Sequence, residues 1–284
     1  MITLRQMLAD ARARLGGADA ALEAELLLAH VLAYPRSGLY AHPEAVPTPA
    51  QAAAFEALLV RRIAGEPMAY LLGRRGFWTL ELAVGPACLI PRPETELLLE
   101  QALLRIPQDA VSEVADLGTG SGALALALAQ ERPRARVLAS DASAGALALA
   151  HANAQRLGLA SRVRCVRGDW FEAVAGLRFH VIVSNPPYLA ADDPHLQQGD
   201  LRHEPRAALV SGAEGLDALR TLAAGAPAHL HPHGWLLLEH GAGQGQAVRA
   251  LLAARGFAQV SSVRDLQAHE RVTLGQWPAA AGSA

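Results

Sequence analysis

Lysine is absent from this 284-residue chain, so its 25 Lys-or-Arg positions are all arginine, set against 27 acids for a formal charge of −2. A protein that lives on duplex DNA usually carries a basic excess to neutralise phosphates, and here there is neither an excess nor a basic target-recognition stretch. Cysteine is scarce too. Cys88 and Cys165 lie far apart and match no metal-ligand spacing, the pattern of a cytosolic protein with free thiols. Long apolar runs are also missing: the alanine-rich stretches are broken by polar residues, and no span of about 20 residues suits a bilayer. The N-terminus, MITLRQMLADARARL, has charges inside every apolar window and no signal-peptide core. The expectation is a cytoplasmic monomer with no membrane or nucleic-acid partner. What the chain does have is apolar mass, 51% hydrophobic against 18% charged residues, which argues against disorder and supplies one large core or two ordinary ones.

Residues 1–72 read as helices. Thr3 can cap LRQMLADARARL, ADAALEAELLLAHVL follows, and Thr48-Pro49 opens PAQAAAFEALLVRRIAG with proline at the first helical position. Residues 73–90 change character, and the alternation in FWTLELAV predicts a β-hairpin linker. From residue 91 to 284 strands and helices alternate. EVADL, RVLAS, VRCVR, HVIV and WLLLE are strands separated by helices such as GALALALAQER and GLDALRTLAAGAPAHL. That pattern predicts a mainly parallel, doubly wound α/β sheet. The last two strands, QVSSVR and RVTLG, are joined by DLQAHE, too short for a helix, so the final strand is expected to be antiparallel.

DLGTGSGA, Asp116 to Ala123, leaves the first parallel strand and opens a helix. Gly118, Gly120 and Gly122 allow a tight turn and a close approach to a ligand, with helix amides pointing at it. Thr119 and Ser121 share that loop. Alone, the run also fits the relaxed dinucleotide pattern G-x-G-x-x-G/A. Asp141 ends the second strand, where a carboxylate can accept from a ribose diol, as in nicotinamide and adenosylmethionine sites, or cap the following helix. Asp169 can accept from the exocyclic amine of adenine and Trp170 can pack on the base. Trp170 as an ordinary core aromatic is the competing reading.

Asn185-Pro186-Pro187-Tyr188 follows the strand HVIV, and two prolines in succession fix a rigid corner. The Asn185 side chain and the Pro186 carbonyl offer two acceptors for a planar –NH2, and Tyr188 could cover its face. Accepting both hydrogens biases the nitrogen lone pair out of conjugation and toward an electrophile. The combination D-x-G-x-G-x-G with N-P-P-Y resembles an adenosylmethionine-dependent methyltransferase acting on a planar amino or amide nitrogen. With LIPRPETELLLE (89–100), GRRGFWTLELAVGPA, EPRAALVSGAEGLDALR and HERVTLGQ, nearly the whole chain is similar to the release-factor glutamine methyltransferases, the HemK/PrmC family. The resemblance implies a seven-stranded Rossmann-like sheet joined by the β-hairpin linker to a small N-terminal helical substrate-recognition domain. It also implies S-adenosyl-L-methionine as cofactor and the glutamine of the Gly-Gly-Gln loop of class I peptide-chain release factors as acceptor. By resemblance Gly118 to Gly122, Asp141, Trp170 and Asn185 bind the cofactor, and Asn185 to Tyr188 hold the glutamine. The family often has glycine in the stretch 265–271, where Ala268 stands here.

Other readings divide the same residues differently. An adenine-N6 DNA methyltransferase would flip its base into a similar corner, but the charge balance opposes it. A nicotinamide oxidoreductase fits the glycine loop and Asp141 and leaves N-P-P-Y unexplained. A docking protein with a vestigial fold would need a broken loop. In PRPETE, Arg92, Glu94 and Glu96 are either dipole partners of the next helix or a cover for the cofactor pocket. His229, His231 and His233 in AHLHPHG read as surface residues of a loop before a strand, with no metal expected.

Overall fold

The first helix begins where its cap demands. In the computed structural model, which describes residues 2–279, the Thr3 hydroxyl accepts from the Gln6 amide at 3.4 Å while the Gln6 side chain accepts from the Thr3 N–H at 2.9 Å. This reciprocal box satisfies two of the donors that a helix start leaves open. Thr48 and Gln51 repeat the device. The helices are α1 (Leu4–Leu15), α2 (Ala20–Leu32), α3 (Arg36–Ala41), α4 (Pro49–Ile63) and α5 (Met68–Leu72). Two of these, α3 and α5, are too short for a 3.6-residue period to show in the sequence. Leu4, Leu27, Leu28, Phe55 and Leu59 form the buried centre, each adding roughly 1.5–3 kcal/mol of burial. This compact unit runs from Met1 to Arg74 and takes in a distant segment, Gln197–His203. That segment is tied in by Arg202, which donates to the Ala64 carbonyl at 3.3 Å, and by Arg62 at 3.8 Å from Asp200.

The second unit comprises Arg75–Leu196 and Glu204–Ala284. Strands β1 (Arg74–Phe77) and β2 (Leu80–Ala83) form a hairpin, and Phe77, Leu80 and Leu82 belong to this unit's core. The main elements then follow as α6 (Thr95–Leu103), β3 (Glu113–Leu117), α7 (Ala123–Glu131), β4 (Arg136–Asp141), α8 (Ala144–Arg156), β5 (Val163–Arg167) and β6 (Phe179–Ser184). After them come α9 (Asp217–His229), β7 (Leu230–Glu239), α10 (Gly245–Ala254), β8 (Ala258–Arg264) and β9 (Glu270–Gln276). The seven-stranded sheet has the order β5-β4-β3-β6-β7-β9-β8, parallel except for β9, which is antiparallel to both neighbours.

Alternation along the central strands builds two cores. Val114, Val181, Val183 and Leu237 face α6 and α7, while Ala115, Leu117, Ile182, Leu236 and Leu238 face α9 and α10. Both faces being covered, these strands read as nearly continuous apolar runs. Chain order reverses between β3 and β6, which lie side by side. Open α/β sheets bind ligands in the crevice at such a switch point, beyond the carboxyl ends of the strands.

One expectation needs correction. LHPHG is not a loop before the strand: β7 starts at Leu230, so His231 and His233 lie within a ten-residue strand and His229 ends α9. A pairing irregularity between Phe179 and Val181 and a left-handed His233, with φ of 65°, let the strand absorb Pro232 and Gly234. In the β8–β9 turn, Ala268 has φ of 63°, a conformation in which its Cβ is strained. The turn is held by Asp265, whose Oδ1 accepts from the Gln267 and His269 amides, both at 2.9 Å.

Candidate active site

A cavity of about 410 Å³ opens at the carboxyl ends of β3, β4 and β6, within the size range of small-molecule sites. Three floor elements come from the three strand ends. The first is the glycine loop, where Gly118, Gly120 and Gly122 have φ of 80°, 57° and 87°. A Cβ on Gly118 would stand 3.5 Å from the Trp170 ring, and one on Gly122 would press on Leu126 at 3.0 Å and Ala150 at 3.2 Å. The loop therefore needs glycine at Gly118 for backbone conformation and at Gly122 also for close packing on α8. The amides of Gly118 and Thr119 both donate to the Ser140 carbonyl, at 2.9 and 2.8 Å.

Beneath the loop lies Asp116, fully buried. Its Oδ2 accepts from the Thr119 hydroxyl at 2.6 Å and the Ala125 amide at 3.1 Å, tying the loop to the start of α7. Burial pushes its carboxyl up to about 7 against these hydrogen bonds. Asn153, also buried, braces the loop from the other side. It donates to the Ser121 carbonyl at 3.0 Å and pairs with both backbone groups of Ala83. Neither residue was legible as a site support: Asp116 opens the motif but reads as strand, and Asn153 lies in the middle of a helix.

The second floor element is Asp141. Its Oδ2 accepts from the Gly120 amide at 2.9 Å and its Oδ1 from the Ser143 amide at 2.8 Å. It does not cap α8. That position is filled by Ser143, whose hydroxyl accepts from the Ala146 amide. Trp170, with φ of 43°, follows an exposed Asp169 and turns its ring over Gly118 while its body packs on the second core. The wall is completed by the segment before α6, including Cys88, Pro91 and Arg92, and by Thr95 at the start of that helix. Arg92 is ion-paired with the buried Glu204, which also accepts from the Ile90 amide at 2.9 Å. Glu94 is exposed, and Glu96 accepts from the Trp78 amide at 2.8 Å.

The third element is the corner after β6. Asn185 and Pro187 face the cavity, while Pro186 and Tyr188 do not line it. Asn185 Nδ2 donates to the Thr95 hydroxyl at 3.0 Å, and among the described residues its buried Oδ1 has no partner. The Tyr188 ring packs on the second core with its hydroxyl 3.5 Å from Glu239 Oε1, and burial raises its pKa. Glu239 ends β7 with 1% of its surface exposed, and burial lifts its carboxyl to about 7. Thr95 and Glu239 escaped the sequence reading, since one sits inside PRPETE and the other closes an apolar strand.

At the opposite end of the sheet, Glu113, His180 and His231 bring three potential ligand atoms within 4.8 Å of one another, the single such trio among the described residues. His180 Nδ1 already accepts from the Glu113 amide at 3.1 Å. No helix among the described residues is long and apolar enough to cross a membrane.

The residues at the strand ends fit an adenosyl group with an amino-acid tail. Glycine amides line one side, a carboxylate with spare lone pairs stands at the end of β4, an aromatic ring covers the loop, and an orphaned carboxamide oxygen points from β6. The sheet order, with its antiparallel β9, and this cavity define an adenosylmethionine-dependent methyltransferase. The crystal structure of a methyltransferase from Pyrococcus furiosus shares the fold, with a TM-score of 0.55 over 79% of this chain and 98% of that one at 17% identity. The PrmC N-terminal domain matches residues 6–73 and the methyltransferase small domain matches residues 93–238. A release factor glutamine methyltransferase of Xylella fastidiosa is 55% identical over 257 residues, 90% of this chain and 93% of that protein. One from Pseudomonas aeruginosa is 52% identical over 259 residues, 91% and 93% of the two chains. The chain belongs to the release factor glutamine methyltransferase family.

Proposed function

We propose that this enzyme methylates the side-chain amide nitrogen, N5, of the glutamine in the Gly-Gly-Gln loop of class I peptide-chain release factors. The observation that carries the reading is the unpartnered Asn185 Oδ1 on the wall of the cavity that the glycine loop, Asp141 and Trp170 also line. When bound, S-adenosylmethionine supplies a sulfonium methyl group that needs no metal for its transfer. Gly118, Thr119, Gly120, Ser121 and Gly122 cradle its amino-acid end, Asp141 takes the ribose diol with lone pairs left by its two backbone bonds, and Trp170 covers the base.

On the acceptor side, Asn185 Oδ1 and the Pro186 carbonyl take the two N–H hydrogens of the glutamine amide. Doing so draws the nitrogen lone pair out of conjugation and aims it into the cavity. Pro187 stiffens the corner, and Tyr188 anchors it from behind through packing on the core. Holding both reactants in line can supply about 7–11 kcal/mol of barrier reduction. The amide nitrogen becomes acidic once alkylated, so its proton leaves afterwards and no general base is assigned. Residues 1–72 serve recognition of the folded substrate, because a glutamine carried on another protein needs more surface than one cavity offers. A balanced charge supports an enzyme that takes no nucleic acid, and a protein substrate of translation supports a cytoplasmic one.

The test is mass spectrometry after incubation with labelled adenosylmethionine. A class I release factor should gain one methyl group on the loop glutamine, and its Gln→Ala variant and duplex DNA should gain none. Label recovered as N6-methyladenine, with none on glutamine, would replace this reading with the DNA enzyme.

A further inference from the structure

Two prolines in a row stiffen the Asn185–Tyr188 corner but do not place it. A proline ring sets φ and leaves ψ free, and Pro186 and Pro187 have no N–H with which to hold a neighbour. The corner therefore takes its position from its two ends. At the entry, Ser184 pairs with Leu238 of β7, and its hydroxyl donates to the Leu117 carbonyl at 2.5 Å. At the exit, the Leu189 amide donates to the Leu209 carbonyl and the Leu189 carbonyl accepts from the Ser211 amide, both at 2.9 Å. Just inside that exit stands the Tyr188 carbonyl.

It is held by Gln244, in the turn between β7 and α10. Gln244 Nε2 donates to the Tyr188 carbonyl at 3.0 Å and to the carbonyl of Gly215, in the segment before α9, at 3.2 Å. Its Oε1 accepts from the Gly241 amide, just after β7, at 2.8 Å. Both hydrogens of the NH2 group are spent on carbonyls and the oxygen on an N–H, so the neighbours admit one orientation of this carboxamide. The seat is shaped to the side chain. A Cβ on Gly215 would lie 2.3 Å from the Tyr188 oxygen and 3.0 Å from Gln244 Nε2, and one on Gly241 would lie 3.1 Å from Gln244 Oε1. Glycine at both places lets three segments distant in sequence close on a single amide.

We propose that Gln244 is a positioning residue for methyl transfer: by gripping the Tyr188 carbonyl it sets where the Asn185–Pro186 acceptor pair stands relative to the cofactor cavity. Gln244 does not line that cavity and acts through the backbone of the corner. This rests on the proposed reading, in which Asn185 Oδ1 and the Pro186 carbonyl accept from the glutamine. A glutamate of the same shape does not suit the seat, because a carboxylate oxygen would face two carbonyl oxygens.

The test is steady-state methylation of a class I release factor by the full chain, with calorimetric affinity for adenosylhomocysteine and Tm measured on the same preparations. Gln244→Glu keeps the shape and replaces two donors by an acceptor, and Gln244→Ala empties the seat. Each should lower kcat by about 10–100-fold, the scale of a misplacement on the order of 1 Å at a reacting group, while adenosylhomocysteine affinity stays within about threefold. Should Gln244→Glu fail to fold, Gln244→Ala, which adds no charge, gives the same reading. Val163→Ala, a buried truncation at the amino end of β5 and away from the cavity, is the control; it should lower Tm and leave kcat unchanged. In an Asn185→Ala background Gln244→Ala should cost less than it does alone, because both changes disturb one acceptor pair. Full kcat in the Gln244 variants, a kcat loss matched by a loss of adenosylhomocysteine affinity, or losses that multiply in full with Asn185→Ala would overturn the proposal. If the unaltered enzyme methylates no release factor, the functional reading falls and this inference with it; if it does and the Gln244 variants behave as Val163→Ala does, this inference alone falls.

Discussion

Asp141→Ala tests whether the carboxylate braces the glycine loop as well as meeting the cofactor. Its two oxygens hold the Gly120 and Ser143 amides at 2.9 and 2.8 Å. Each is a charge-assisted bond of about 1.5–3 kcal/mol when well shielded, but Asp141 is only half-buried, so water recovers part of the loss. A net destabilisation of about 2–3 kcal/mol follows, a fall in Tm of roughly 4–12 °C at the scale of ~2–4 °C per kcal/mol. If the same carboxylate takes the ribose diol, affinity for adenosylhomocysteine should fall by a further ~1.5–3 kcal/mol, about 10–150-fold. Thermal unfolding and calorimetry measure the two effects on one preparation. Asp141→Asn should not rescue, since its NH2 would face one of the two backbone N–H groups. A variant with unchanged Tm and unchanged affinity would refute both roles, and lost affinity with full stability would refute the brace alone.

Three further outcomes follow from the same structure. Asp116 ionises at about 7 when folded and near 3.8 when not; a raised acid pKa means the folded state keeps its proton longer, so this group's contribution is fully present below pH about 4, declines as pH rises toward 7 and is flat above. Denaturation at pH 5 and pH 8 should therefore show wild type losing stability relative to Asp116→Asn by an amount on the order of a few kcal/mol, and parallel pH curves would contradict the burial argument. Ala268→Gly should raise stability by up to about 1 kcal/mol by relieving the φ of 63°, measured as a shift in the denaturation midpoint; no gain would mean that the Asp265 turn already absorbs the strain. Gly118→Ala places a methyl group 3.5 Å from the Trp170 ring at φ of 80°, and should cost ~1–2 kcal/mol of stability and weaken adenosylhomocysteine binding, which calorimetry checks.

Local chemistry determined much of this protein from the sequence alone. The capping residues Thr3 and Thr48 mark helix starts by side-chain hydrogen bonds to neighbours three positions on, and the alternation of apolar strands with helices leaves little choice but a parallel sheet. The short DLQAHE link admits no crossover, so the antiparallel end strand was legible as well. The glycine loop, Asp141 and N-P-P-Y are local too, because each is a contiguous run whose backbone demands can be read without the fold. What only the tertiary structure decided are pairings between distant residues. Asn153 reaches Ala83 and Ser121, Glu204 reaches Arg92 and Ile90, and Tyr188 is brought to Glu239 by the pairing of β6 with β7. Residues that bond across 32 to 114 positions leave no periodic trace. LHPHG likewise reads as a loop because proline and glycine oppose strand formation locally, yet pairing with β6, with its irregularity at Phe179 and Val181, draws it into β7. The Asn185 carboxamide is the clearest case: the sequence supplies an asparagine, and only the fold brings the buried Thr95 hydroxyl, 90 positions away, to 3.0 Å from its Nδ2.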